Sequence, residues 1–175
     1  VEPLQSKLPA VESVRGKLTA EGVELSWDEP DMENIPAMTS VVDFEDGGSF
    51  DMSYAGWTFV DRDDFPVGGF QGTDIPGITT GVTKMAFMLF DASVEPFNMN
   101  HTFDAFSGFK YLAAMFRQDD GTADDWAISP LLDGFAQTVT FMAKSYAEQY
   151  PEKIEMYYST GSLDPADFVK VGETV

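Results

Sequence analysis

The sequence predicts an all-β protein, a sandwich or barrel of short antiparallel strands, and three observations carry that prediction. Residues alternate in type over short stretches. Val23, Leu25 and Trp27 alternate with Glu24, Ser26 and Asp28, Val139, Phe141 and Ala143 with Thr138, Thr140, Met142 and Lys144, and Ile154, Met156 and Tyr158 with Lys153, Glu155 and Tyr157. A period of two is the mark of a half-buried strand. Fifteen glycines and ten prolines punctuate these stretches. No apolar stripe of helical period runs beyond two turns.

In chain order, residues 1–9 carry Pro3 and Pro9 and read as a linker. Val14 to Leu18 leads through a turn at Ala20-Glu21-Gly22 into the Val23–Asp28 strand, which Pro30 ends. Residues 31–40 are again linker-like. Val41–Glu45 is expected as a short strand broken at Asp46-Gly47-Gly48, and Trp57–Val60 as another, ending in Asp61-Arg62-Asp63-Asp64. Pro66 to Gly81 is glycine-rich and predicts loop. Met85–Phe90 is continuously apolar, as suits a strand covered on both faces. Asp91 to Asp104 reads as a second loop holding the lone histidine, His101, expected as a surface residue or local hydrogen-bonder. Tyr111–Phe116 is a further strand.

Asp124-Asp125-Trp126-Ala127-Ile128-Ser129-Pro130 follows. Adjacent carboxylates stay ionised only if solvated, hydrogen-bonded or shared by a cation. A tryptophan just inside a sandwich fills core volume while its N–H still reaches a partner. Strands at 138–144 and 153–158 flank a connection at Tyr146–Pro151, and Asp164-Pro165 opens one helical turn with Asp164 as cap. The expected core is Trp57, Phe87, Leu89, Leu112, Trp126, Ile128, Val139 and Phe141.

Composition narrows the function. The chain has 175 residues, and a hydrophobic share of 43% is enough for a real core. Thirty acidic residues against ten basic ones give a formal charge of −20. The Lys/Arg patch that neutralises phosphates is missing, which argues against nucleic acid and anionic membrane surfaces as partners. Such a charge suits a salty exterior, cation binding or neutral partners such as glycans, and in its plainest reading only keeps the surface solvated. The absence of cysteine excludes disulfides, thiol catalysis and thiolate metal sites. No apolar run approaches the ~20 residues that span a bilayer, so membrane insertion is not expected.

Several stretches resemble known families. Pro9, the Glu21-Gly22 turn, Leu25-Ser26-Trp27 and Pro30 look like the opening strands of a fibronectin type III domain. Asp43-Phe44-Glu45-Asp46, Gly56-Trp57-Thr58 and Val60-Asp61-Arg62-Asp63 resemble the "FE…GWT…DxDG" opening of choice-of-anchor J and cleaved-adhesin domains, and the first part is also similar to MAM domains. Ser107-Gly108 with Tyr111-Leu112-Ala113-Ala114, Asp125 to Pro130 and Tyr158-Ser159-Thr160 with Asp167-Phe168 are similar to that family's "SG…YLA", "DWLISP" and "YSTT…DF" segments. Two departures stand out. Asp64 occupies the glycine position of the acidic turn, and the chain ends at Val175, before the family's closing strands.

The resemblance implies an antiparallel jelly-roll β-sandwich over residues 41–175, of galactose-binding or MAM-like type and lacking its last strands. Residues 1–40 would be linker and a partial fibronectin-like hairpin. It further implies a secreted or cell-surface module of anaerobic oral and gut bacteria, akin to the adhesin modules of gingipains. The partners would be a glycan or a host surface protein, within a larger chain of neighbouring domains. The family uses structural Ca²⁺, and position by position the ligands would be Glu45, Asp61 and Asp63, with Asp43 in support. Solvated loop carboxylates without metal are the plainer alternative.

Flat rings bind apolar sugar faces, and Tyr146, Tyr150 and Tyr157 are the aromatic candidates for exposure. Catalysis is not expected. One histidine and no nucleophile-elbow pattern leave Ser107 and Ser129 without a triad. Carboxylate pairs for glycoside hydrolysis are unspecific in so acidic a chain. A binding module comes first, a structural spacer of a modular surface protein second and a glycoside hydrolase a distant third.

Overall fold

The computed structural model describes residues 12–19, 22–28, 40–132, 137–149 and 151–175. The linkers expected at 1–9 and 31–39, the turn residues Ala20 and Glu21, Pro30 and Tyr150 lie outside the described residues. Among the described residues, eight strands run in chain order. They are β1 (Glu12–Thr19), β2 (Gly22–Asp28), β3 (Thr58–Asp61), β4 (Met88–Asp91), β5 (Lys110–Ala113), β6 (Asp125–Ile128), β7 (Met156–Tyr158) and β8 (Val169–Val171). They pair antiparallel into four two-stranded sheets, β1–β2, β3–β6, β4–β5 and β7–β8. The described residues hold no α-helix, only three short 3₁₀ turns, so the fold is all-β.

The chain divides into two compact units, Val1–Val41 and Val42–Val175. The first holds the β1–β2 hairpin. Its register sets Gly16 opposite Leu25 and Lys17 opposite Glu24, after an irregularity between Glu12 and Arg15. Directly opposed residues share a face. Leu25 therefore lies over Gly16, 3.6 Å from where a Cβ would stand, while Lys17 and Glu24 occupy the other face. Val23 and Leu25 remain exposed.

The second unit is built around phenylalanine. Phe50, Val67, Ile75, Met85, Met88, Phe90, Ala92, Phe97, Phe103 and Met115 form one buried cluster. The rings of Phe90 and Phe97 meet edge-on at 4.8 Å, and Phe90 stacks on Phe103 at 5.6 Å. Every residue of β4 is buried. The cause lies in its partners. β4 pairs β5 on one edge, and on the other the Phe50 N–H donates to Leu89 O at 2.7 Å while the Leu89 N–H donates to Asp51 O at 2.8 Å. The charge that ends this strand, Asp91, is buried and satisfied by the Ser49 hydroxyl and by the backbone N–H and hydroxyl of Ser93.

Three expectations need correction. Residues 41–45 form no strand; the chain enters a turn there, and the Gly47 N–H donates to Phe44 O at 3.2 Å. Residues 138–144 alternate in sequence but pair with no strand, and Val139 and Phe141 stand 59% and 54% exposed, not in the core. The loop at 91–104 supplies core instead. Its 3₁₀ turns Phe97–Met99 and His101–Phe103 drive Phe97 and Phe103 inward. Of the remaining expected core residues, Leu89 and Ile128 are buried, and Trp57, Phe87, Leu112 and Trp126 are half-buried. The Asp164 cap is present, its carboxylate accepting from the Ala166 N–H at 2.9 Å.

Candidate metal centre

The site grows out of the β3–β6 ladder. Its register pairs Thr58 with Ile128, Phe59 with Ala127, Val60 with Trp126 and Asp61 with Asp125. Two aspartates thus stand opposite each other at the last rung, where like charges destabilise a sheet. The pairing runs on through the Arg62 N–H, which donates to Asp124 O at 3.0 Å.

The chain after β3 then folds back on its own carboxylates. Asp61 Oδ1 accepts from the Asp64 N–H at 2.7 Å, and Asp63 Oδ1 from the Phe65 N–H at 3.0 Å. Asp63 Oδ2 accepts from the Asp124 N–H at 2.8 Å, tying this loop to the start of β6. The turn places Asp64 at φ +49°, the left-handed conformation that glycine adopts most readily.

Neighbours along a strand point to opposite sides, and the Asp124-Asp125 pair is resolved that way. Asp124 is hydrogen-bonded, accepting from Trp126 Nε1 at 2.6 Å and pairing with Arg62 at 3.4 Å. Asp125 joins Asp61 and Asp63 instead. One carboxylate oxygen from each of these three lies within 4.8 Å of the others, and all three residues are half-buried. Burial pushes the Asp125 carboxyl up to about 7, reinforced by the charges of Asp63, Asp61 and Asp124 and opposed by Arg117.

Arg117 is the resident counter-charge. Its guanidinium lies 3.5 Å from Asp63 Oδ1 and 4.3 Å from the centre of the Phe65 ring. It is shared, because Nε and Nη2 donate to Asp119 at 2.8 and 2.9 Å. The hydrogen bonds and charge of Asp119 hold the guanidinium pKa above its ordinary value against the opposing effect of burial.

The spacing suits calcium. Oxygens bound at about 2.4 Å stand at most about 4.8 Å apart across the ion, whereas the ~2.1 Å bonds of Mg²⁺ require about 4.2 Å or less. Oxygens that lie within 4.8 Å of one another fall inside the span that Ca²⁺ bridges. The three carboxylates offer one oxygen each toward a common point, against the six to eight that Ca²⁺ takes.

Of the residues the sequence singled out, Asp61 and Asp63 are brought together. Glu45 is not among them. Its Oε1 accepts from the Phe109 and Lys110 N–H groups at 2.6 and 2.8 Å, and the Lys110 ammonium donates to the Glu45 and Gly47 carbonyls. Gly108 makes room for it, since a Cβ there would strike the Glu45 carboxylate. Asp43 accepts from the Glu45 N–H at 3.2 Å within the same turn.

Asp125 was not singled out as a candidate in the sequence. Its signal was the repulsion between neighbouring acids before Trp126. Tyr146 is exposed and stacks on Phe70 at 5.1 Å, whereas Tyr157 is half-buried against Trp126 at 4.7 Å and donates its hydroxyl to Glu155 at 2.6 Å. The exposed His101 faces Asp104, with Nδ1 2.8 Å from Oδ2.

Comparison with protein-family models, characterised proteins and solved structures finds no match to this chain. Among the described residues, no helix is long and apolar enough to cross a membrane.

Proposed function

We propose that residues 41–175 form a non-catalytic binding module of a bacterial surface or secreted protein, a jelly-roll type β-sandwich whose acidic end is held by a structural Ca²⁺. The single observation that carries this reading is the convergence of one carboxylate oxygen each from Asp61, Asp63 and Asp125 within 4.8 Å. The ladder fixes two of them and the Asp63–Asp124 bond positions the third. The ion's role is structural. It offsets the repulsion between opposed carboxylates and pins the 61–65 turn to β6. The all-β fold, the charge of −20 and the order of the adhesin-like segments support an exterior module that meets a glycan or a host protein.

A spacer role within a modular surface protein is the second reading. The Arg117–Asp63 pair favours it, because a guanidinium relieves part of the repulsion without metal. Thermal melting in Ca²⁺, in Mg²⁺ and in EDTA tests the proposal. The melting temperature should rise by a few degrees in Ca²⁺ and less in Mg²⁺, and Asp61→Asn should remove the difference. Identical melting in all three removes the metal and leaves the spacer reading.

A further inference from the structure

Away from the acidic end, Gly69, Phe70, Thr73, Asp74, Ile75, Ile78, Thr79 and Thr80 line a half-open hollow of about 540 Å³. That volume lies within the ~300–1,000 Å³ of small-ligand sites. The glycine-rich segment that reads as loop in the sequence builds it. Gly72 and Gly77 turn at φ +75° and +81°, and the Thr73 N–H donates to Phe70 O at 3.3 Å while the Ile78 N–H donates to Ile75 O at 3.0 Å. Gly69 keeps one wall open, since a Cβ there would strike the Thr80 hydroxyl. Phe70 is held between Phe103 at 4.9 Å and the stacked Tyr146 ring, so this wall is anchored in the core.

Two chemistries meet there. Phe70, Ile75 and Ile78 offer an apolar surface, and Ile75 is buried at its base. The hydroxyls of Thr73 and Thr80 and the carboxylate of Asp74 line the same hollow, and none of them has a hydrogen-bonding partner among the described residues. A carboxylate that accepts from adjacent hydroxyls, beside an apolar surface for C–H groups, is the complement of a pyranose ring. Anionic ligands are disfavoured by Asp74 itself and by the net charge of −20.

We infer that this hollow is the ligand site of the module and that it takes a neutral saccharide with vicinal hydroxyls. The inference rests on the binding-module reading and is independent of the metal.

The test is a chemical-shift titration of the full chain, in EDTA and again in Ca²⁺. The probes are methyl β-D-galactopyranoside and methyl α-D-mannopyranoside, with N-acetylneuraminic acid as the anionic control. At least one neutral glycoside should shift Thr73, Asp74, Ile75, Ile78 and Thr80, and the anionic sugar should shift none of them. The Asp74 carboxylate has no hydrogen-bonding or ion-pair partner among the described residues, and Asp74→Asn should weaken binding by about tenfold, as for loss of a charged hydrogen-bond acceptor. Thr80→Val should weaken it in the same direction. Shifts confined to the Trp126–Tyr157 region would overturn the pocket while supporting the module. No shift with either glycoside, or an Asp74→Asn variant that binds like the wild type, would overturn the inference outright, and the calcium melting result would still stand.

Discussion

Asp61 and Asp125 face each other across the last rung of the β3–β6 ladder, with Asp63 completing a group whose carboxylate oxygens lie within 4.8 Å. Sixty-three residues separate the two strand partners in the chain. This juxtaposition gathers like charges at the end of the sheet and makes it a candidate cation site.

A pH dependence follows from it. The Asp125 carboxyl titrates at about 7 in the folded chain against an ordinary value of 3.8, raised by burial and by Asp63, Asp61 and Asp124. The folded state thus holds this proton more tightly than the unfolded one, so the group favours folding below about pH 4. That contribution is lost as the pH rises through about 7. Without divalent cation, Asp125→Asn should melt higher than the wild type at pH 8, and its melting temperature should fall less between pH 5 and 8. Parallel profiles for the two proteins would show that Asp125 is not the strained group.

Glu45 has a different task from the one its sequence position suggests. Its carboxylate holds two backbone N–H groups at the entry to β5. Removing a charged acceptor of this kind costs about 1.5–3 kcal/mol. Glu45→Ala should therefore lower stability in urea by that amount while leaving the stabilisation by Ca²⁺ intact. Loss of the calcium response with unchanged baseline stability would return Glu45 to the metal site.

The location of the core is tested by a pair of truncations. Phe97 is 1% exposed and touches Phe50, Phe90 and Phe103, so Phe97→Ala should cost about 3–5 kcal/mol. Phe141 is 54% exposed, and Phe141→Ala should stay within about 0.5 kcal/mol. Equal costs in chemical denaturation would place residues 138–144 inside the fold after all.

These residues also show what the sequence made legible. Alternation through Met156 and Tyr158 and the apolar run ending at Phe90 marked real strands, because period and hydrophobicity are local properties. Val139 and Phe141 alternate just as clearly, yet no strand pairs with them, and pairing is not written in one segment. Phe97 and Phe103 looked like loop because two 3₁₀ turns bury them without any period to detect. Asp61 and Asp63 were singled out as candidates through the resemblance to adhesin-like domains, not through their spacing. Asp125 reaches them only through a register between distant strands, which local pattern does not specify.

Asp64 offers a check on the turn itself. At φ +49° it holds a conformation that costs an ordinary residue about 1 kcal/mol and glycine almost nothing. Its pair with Lys84 at 2.9 Å is exposed and worth little. Asp64→Gly should therefore be neutral or stabilising by up to about 1 kcal/mol in denaturant titrations. A clear destabilisation would mean that the Lys84 pair, not the backbone, sets the turn.

The most direct measurement is calorimetric titration of Ca²⁺ at pH 6 and pH 8, on the wild type and on Asp125→Asn. If the ion binds at Asp61, Asp63 and Asp125, it must displace the proton that Asp125 holds with a pKa of about 7. Affinity in the wild type should then be about tenfold weaker at pH 6 than at pH 8, with protons released on binding. In Asp125→Asn the affinity should drop at both pH values and the pH difference should largely vanish. No binding heat in the wild type, or an affinity indifferent to both pH and the substitution, would show that these three carboxylates do not form a calcium site.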